Sequence, residues 1–332
     1  MRLPLAVLLA ALLLLAMSIP APVSDTPGDL TTAEADAAAA AAAATSVADP
    51  PAQEPPAAAE PAVTEDAGSP PEADALALPS EGAPQAPADP AALAALLTTA
   101  EQAVRDPARA PEELEAAGHW QQVAYRKLTE QPEWLEAVLA EVPERLHGAV
   151  RGNVVAGARL LDMHTPSNPN RPVRVLDLPS WRIVEPPPAD ELRGYYEEAA
   201  AATGVDWTYL AAINLVETRM GRIRGVSSAG AQGPMQFMPA TWAEWGQGSV
   251  TDHRDAILAA GRYLQWGGMP GDVNGALFRY NRDTRYVDAV RTYAEQMQGD
   301  PRAYYGYYHW QVYYDTRAEN VLLPHGWDNT GA

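Results

Sequence analysis

The stretch WTYLAAINLVETRMG, residues 207–221, combines an apolar helical pattern with one carboxylate. Ile213 and Glu217 follow Leu210 at offsets of 3 and 7 residues, the spacing of one helix face. A carboxylate on a buried face is costly unless a partner or a raised pKa compensates for the loss of water. The stretch therefore predicts a core helix that ends at Gly221. Its glutamate is either chemically special or lies at the solvent edge, paired with an arginine.

The residues after this helix favour the first interpretation. The segment GVSSAGAQGPMQFMPATWAEWG, residues 225–246, has three glycines within its first nine residues, which would let backbone approach a ligand closely. The same segment carries side chains with hydrogen-bonding reach, namely Ser227, Ser228, Gln232 and Gln236. In an apolar pocket the pKa of Glu217 would rise, and the residue could protonate a leaving oxygen near neutral pH.

Other catalytic chemistries lack their residues in this sequence. The chain has no cysteine, which excludes thiol nucleophiles, cysteine–zinc sites, disulfides and lipidation on cysteine. No metalloprotease, serine-hydrolase, calcium-loop or phosphate-loop motif is present, so no metal or cofactor is predicted. Four aspartates are interpreted as helix caps or turn residues and not as a second catalytic carboxylate: Asp252, Asp255, Asp272 and Asp283.

Four motifs follow one another between about residues 186 and 295: ETRMG, SSAGAQGPMQFMPATW, DAILAAGRYL and FRYN. Together they resemble the motifs of soluble lytic transglycosylase (SLT) domains, in the goose-type-lysozyme-like branch of the lysozyme superfamily. The resemblance implies a mainly α, lysozyme-like catalytic domain at residues 188–300. The flanking regions look like those of actinobacterial secreted lytic transglycosylases.

The resemblance also implies roles for individual residues. Glu217 matches the single catalytic acid and base of the family. The substrate-binding positions that it implies are Thr218, Ser227, Met235, Gln236, Tyr280 and Asn281. The sequence departs from the family pattern at three places. Thr218 replaces a serine, Pro234 replaces a leucine, and Arg282 with Asp283 replaces the glycine after the FRYN motif.

The implied reaction cleaves the β-1,4 bond between N-acetylmuramic acid and N-acetylglucosamine in peptidoglycan. Glu217 would protonate the glycosidic oxygen and then accept a proton from the 6-hydroxyl, which closes a 1,6-anhydro ring. Two alternatives remain open. One is a muramidase that hydrolyses the same bond with water, and the other is a non-catalytic module that binds cell-wall glycan. Peptidoglycan glycan strands are the expected partner in every case.

The N-terminus, MRLPLAVLLAALLLLAMSIPAP, is predicted to be a signal peptide at residues 1–18. Its apolar run at 3–17 is shorter than the ~20 residues of a comfortable membrane span, and Ala16, Met17 and Ser18 form a small-x-small cleavage site. An uncleaved anchor is the alternative and would be the only membrane attachment. We therefore expect an exported protein, extracellular or in the cell envelope.

Residues 19–89 form a segment of alanine, proline and acidic residues that is predicted to be a disordered linker. It holds thirteen Asp and Glu residues and no Lys or Arg, which accounts for most of the formal net charge of −20. No basic stripe indicates nucleic-acid binding, and we expect a monomer.

The remaining chain is predicted as three parts around the catalytic domain. A helical region at 90–163 is followed by a proline-rich connection at 164–187, and an aromatic-rich extension covers 301–332. The extension is predicted to contain a short β-hairpin, formed by an aromatic run at 307–314 and a strand at 321–323. Its aromatic rings either pack onto the domain or stack on sugars.

Overall fold

The N-terminal part of the structure consists of helices. The computed structural model describes residues 76–79, 82–164, 178–315 and 320–331. The predicted signal peptide and most of the predicted linker therefore lie outside the described residues. The first helices are α1 (Pro90–Arg105), α2 (Pro111–Glu130), α3 (Leu135–Glu141) and α4 (His147–His164). Asp89 caps α1 by accepting a hydrogen bond from the Ala92 amide at 2.9 Å.

The second part of the chain continues with short strands and further helices. In chain order they are β1 (Arg182–Ile183), α5 (Ala189–Thr203), α6 (Trp207–Thr218), β2 (Ile223–Arg224), α7 (Pro239–Trp245), α8 (His253–Trp266), α9 (Val273–Tyr280), α10 (Thr284–Gly299), α11 (Ala303–Tyr308), β3 (Val312–Asp315) and β4 (Asn320–Leu323). Several of these helices begin at an aspartate whose side chain accepts a backbone amide: Asp206, Asp252, Asp272 and Asp283.

Helix α6 lies at the centre of this part of the molecule. It packs against α5, α8, α10 and α11, and every residue from 210 to 218 is buried. The sequence predicted one buried face, but neighbours on all sides bury the whole circumference. Helices that are apolar all round occupy this position in folded domains.

The end of α6 differs from the prediction. The helix ends at Thr218 and not at Gly221, because Arg219, Met220 and Gly221 all have positive φ angles of 53°, 60° and 85°. Two consecutive non-glycine residues in the left-handed region are uncommon and store backbone strain. The strain begins two residues after Glu217, in the segment that follows the end of the helix.

The N-terminal helices pack against the C-terminal extension and α10. Helix α4 lies against α10, and α2 lies against α11. Tyr307 donates to Asn153 Oδ1 at 2.9 Å, while Gln122 both donates to the Gln311 carbonyl and accepts from its amide. The rings of Tyr307 and Trp310 are buried, so these aromatic residues pack onto the domain.

The strands form two small antiparallel pairs. β3 pairs with β4 in the predicted C-terminal hairpin, with Val312 opposite Leu323, although the strand begins later than predicted because 303–308 is helical. β1 pairs with β2, which joins the proline-rich connection to the chain after α6. The prediction of a mainly α fold with a C-terminal hairpin is confirmed. Among the described residues, no helix has the length and apolarity needed to cross a membrane.

Candidate active site

Glu217 lies in the last turn of α6, and only 6% of its surface is exposed. Its Oε1 accepts a hydrogen bond from the Tyr286 hydroxyl at 2.8 Å. Within the described ranges no arginine, lysine or histidine forms an ion pair with it. The alternative of a solvent-edge glutamate paired with an arginine is therefore wrong. Burial raises the pKa of Glu217 to about 8, and the Tyr286 hydrogen bond only partly opposes this rise.

A second buried glutamate, Glu101, has a different set of partners from Glu217. Glu101 on α1 is fully buried, forms an ion pair with Arg105, and accepts hydrogen bonds from Gln121 and Tyr125. Its charge is thus compensated by a cation and two neutral donors. In the part of the chain that the structure describes, Glu217 has one neutral donor and no cationic partner, so its site favours the protonated acid. Such a carboxyl can donate a proton at neutral pH.

The loop after α6 folds back as a tight turn beside the helix end. Gln232 and Phe237 exchange backbone hydrogen bonds of 2.9 and 2.8 Å across four intervening residues. Gly233 has φ of +74°, and a Cβ there would lie 1.8 Å from the Val250 carbonyl oxygen. Only glycine fits at this position. Gln236 also has a positive φ of 52°.

A buried network joins this turn to the helix that carries Glu217. The Pro234 carbonyl accepts from the Thr218 hydroxyl at 2.6 Å and from Asn214 Nδ2 at 2.8 Å. Asn214 in turn accepts from the Tyr196 hydroxyl at 2.6 Å. All of these side chains are buried, so the network fixes the turn against the last turn of α6.

Tyr280 contacts the turn and lies close to the carboxyl group of Glu217. Its hydroxyl donates to the Met235 carbonyl at 2.7 Å. The pKa of Tyr280 is raised well above its usual value, first by burial and then by the nearby Glu217. Met235 is fully buried, and Asn281, which caps the end of α9, is also buried. The structure thus places Tyr280 near Glu217, joins Met235 to Tyr280 by a hydrogen bond, and places Asn281 directly after Tyr280 at the end of α9.

Two predicted residues, Ser227 and Gln236, use their polar atoms in the loop itself. Ser227 Oγ accepts from the Ala231 amide at 2.8 Å, which closes the turn that contains Gly230. Gln236 Nε2 donates to the Gly233 carbonyl at 2.9 Å. Gln236 Oε1 is buried and has no hydrogen-bond partner among the described residues. Contact of any of these residues with substrate remains a prediction.

Sequence reasoning missed three residues of the site: Tyr286, Asn214 and Tyr196. Asn214 carried a signal, because a polar residue one turn before Glu217 interrupts an otherwise apolar helix. Tyr286 gave no such signal in the sequence, since its position fits the apolar face of α10. Its partner lies 69 residues earlier in the chain.

The four aspartates considered in the sequence have local structural partners within the domain. Asp252, Asp272 and Asp283 cap helices, and Asp255 accepts from the Ser249 amide at 2.9 Å. Their interpretation as caps or turn residues is confirmed. In the part of the chain that the structure describes, no group of three or more His, Asp and Glu side chains is arranged to hold a metal ion.

Comparison with known proteins identifies the domain that contains this site. Residues 194–300 match the family model described as Transglycosylase SLT domain. The Membrane-bound lytic murein transglycosylase F of Thiobacillus denitrificans is 29% identical over 122 residues, which covers 34% of this chain and 26% of that protein. The chain thus spans about a quarter of the length of that relative. No solved structure gives a significant match. The resemblance to SLT domains that the sequence motifs indicated is confirmed for residues 194–300, which match the model of that domain family.

Proposed function

We propose that the protein is an exported lytic transglycosylase that cleaves peptidoglycan glycan strands, with Glu217 as the only catalytic carboxyl. The observation that carries the proposal is the burial of Glu217 at a helix end of the SLT domain, without a cationic partner among the described residues and with a pKa of about 8. The murein transglycosylase name of the matched relative supports peptidoglycan as the substrate class.

In the proposed reaction Glu217 acts first as an acid and then as a base. Its proton passes to the glycosidic oxygen, the bond from that oxygen to C1 of the muramoyl residue breaks, and the N-acetyl carbonyl stabilises the cationic centre. The carboxylate then takes the proton of the sugar's own 6-hydroxyl. The oxygen of that 6-hydroxyl then bonds to C1 and closes the 1,6-anhydro ring. The reaction consumes no water and needs no second carboxylate, in contrast to the reaction of the common two-carboxylate glycosidases.

The surrounding residues would hold the substrate and the loops in place. We propose that Gln236 Oε1, which is buried and lacks a hydrogen-bond partner in the described structure, accepts a hydrogen bond from the glycan. Met235, Tyr280 and Asn281 would line the same cleft. Thr218 and Ser227 would act as positioning residues, because their oxygens bind backbone groups of the loop.

A run of aromatic rings extends from the site to the surface and supports a binding cleft for an extended polymer. Tyr280 contacts Tyr263 at 5.8 Å between ring centroids, and Tyr263 stacks on Trp266 at 5.7 Å. Trp266 is 55% exposed, which is unusual for so large an apolar side chain. Its exposed ring would offer a flat face on which a sugar ring could stack.

Product analysis tests the proposal directly. We expect digestion of purified peptidoglycan by the protein to release fragments that end in 1,6-anhydro-muramic acid, measured by liquid chromatography with mass spectrometry. Such fragments are lighter than the hydrolysed products by one water. Fragments with a reducing muramic acid alone would identify a muramidase and contradict the transglycosylase reaction. Binding without any product would identify a glycan-binding module.

Tyr286→Phe tests the role of the residue that contacts Glu217. We expect kcat to fall about tenfold, because a hydrogen bond to a charged group contributes ~1.5–3 kcal/mol. The same bond lowers the pKa of Glu217, so its loss should raise that pKa. The alkaline limb of the kcat/KM profile should therefore move to higher pH.

Tyr304→Phe is the matched control for this variant. It also removes a buried tyrosine hydroxyl, which donates to the Ala189 carbonyl at 2.7 Å, but it leaves Glu217 untouched. We expect some loss of stability and an unchanged pH profile. If Tyr286→Phe also left the alkaline limb in place, Tyr286 would not tune the acid.

A further inference from the structure

A cavity of about 130 Å³ lies between α2, α4, α10 and β3, and Glu217 does not line it. One buried water needs only ~10–15 Å³ of such space, so the cavity has room for a molecule of several non-hydrogen atoms. Its walls combine two arginines with aromatic rings. They include Arg126, Arg219, Tyr125, Tyr293 and Trp310.

Arg219 is the residue that makes this cavity unusual. It is only 7% exposed, and its one side-chain hydrogen bond to a described residue is from Nη1 to the Leu215 carbonyl at 2.9 Å. Its Nε is buried and has no partner, and no carboxylate in the described residues forms an ion pair with it. Its guanidinium lies 6.0 Å from the Trp310 ring centroid, which offsets only part of the lost hydration. A buried cation of this kind calls for an anion.

A second guanidinium faces the same space. Arg126 lies over the Tyr313 ring at 4.7 Å, and its charge opposes the protonation of Arg219, as expected of two neighbouring cations. Among the described lining residues, the one acidic side chain is that of Glu130, which is exposed. The cavity lining thus presents two guanidinium groups, of which that of Arg219 has no ion-pair partner in the described residues, while Tyr293 and Trp310 supply apolar surface.

We propose that this cavity binds a small organic carboxylate, with the anion between Arg219 and Arg126 and the apolar part against Tyr293 and Trp310. Planar guanidinium groups suit a carboxylate because they offer paired donors. Arg219 is the left-handed cap of α6, two residues after Glu217. A bound ligand would therefore stabilise the strained end of the helix that carries the proposed catalytic acid. The binding itself does not depend on the proposed reaction.

Titration calorimetry with the full chain tests this site. Every protein used in the titration also carries Glu217→Gln, which removes turnover. The measured binding is therefore independent of the lytic activity. The probes are N-acetylmuramic acid, N-acetylglucosamine as its analogue without the carboxylate, benzoate and inorganic phosphate. We expect saturable one-to-one binding of at least one carboxylate. Its affinity should fall about tenfold or more in Arg219→Gln and in Arg126→Gln.

Matched variants and probes separate the possible outcomes. Arg254→Gln removes an exposed arginine paired with Glu198 and should leave binding unchanged. Binding of N-acetylmuramic acid alone would indicate a wall-derived ligand, whereas equal binding of benzoate would indicate carboxylates in general. If Arg219→Gln fails to fold, Arg126→Gln alone shows whether carboxylate binding depends on the arginines of the cavity. No carboxylate binding, binding insensitive to these arginines, or binding of phosphate alone would overturn the proposal.

Discussion

Glu217→Gln is expected to reduce the release of anhydro-muropeptides from peptidoglycan by about 10²–10⁴-fold, the usual contribution of a general acid. Glutamine has nearly the same shape, and its carbonyl oxygen can still accept the Tyr286 hydroxyl. It has no acidic proton to donate and cannot take one from the 6-hydroxyl. Initial rates of product release, measured by mass spectrometry for both proteins at slightly acidic pH, give the ratio.

A matched variant controls for the general effects of losing a carboxylate. Glu198 lies on α5, is exposed, and forms an ion pair with Arg254. Glu198→Gln should therefore keep the activity of the wild type. Near-normal activity in Glu217→Gln would mean that another residue supplies the proton, and the assignment of the catalytic acid would fail.

The same substitution is expected to stabilise the protein at alkaline pH. Folding raises the pKa of Glu217 from about 4.5 to about 8, so the folded state holds a proton that the unfolded state has lost. The free energy of unfolding of the wild type must then fall as the pH rises through this window. At ~1.4 kcal/mol per pH unit, the contribution lost above the folded pKa is roughly 3–5 kcal/mol.

Urea unfolding of the two proteins at about pH 5 and about pH 9 measures this contribution. At the lower pH both residues are essentially neutral in the folded state, and the two stabilities should be similar. At the higher pH Glu217→Gln should be more stable by the amount given above. The difference between the proteins isolates Glu217, because the histidines with pKa values lowered by burial, His119, His253 and His309, are common to both. An equal difference at both pH values would contradict a neutral buried acid.

Local chemistry in the sequence predicted the helices and their starts well. Aspartates before apolar periodic segments predicted the beginnings of α1, α6 and α8, because a side-chain oxygen can satisfy a free amide at a helix start. The special position of Glu217 was also readable, since a carboxylate between apolar helix positions is rare. Periodicity alone could not show that α6 is buried on every side, because that depends on which helices surround it.

The supporting network of the site could not be predicted, because it depends on contacts between distant segments. The Tyr286 hydroxyl reaches Glu217 only because α10 packs across α6. The extended left-handed stretch after α6 was missed for a related reason. Arg219 and Met220 have side chains that disfavour positive φ, and only the packed environment of the folded chain holds them there.

The hydrogen bonds to the Pro234 carbonyl bear on how this loop can vary in evolution. Thr218 and Asn214 both contact the backbone oxygen of residue 234 and make no use of its side chain. Every amino acid supplies that oxygen, so these hydrogen bonds between the loop and the helix do not depend on which residue occupies position 234. The proline found where the family has leucine is thus a change that this attachment permits. The two donors, in contrast, are side chains, and the freedom to vary at 234 depends on their being kept.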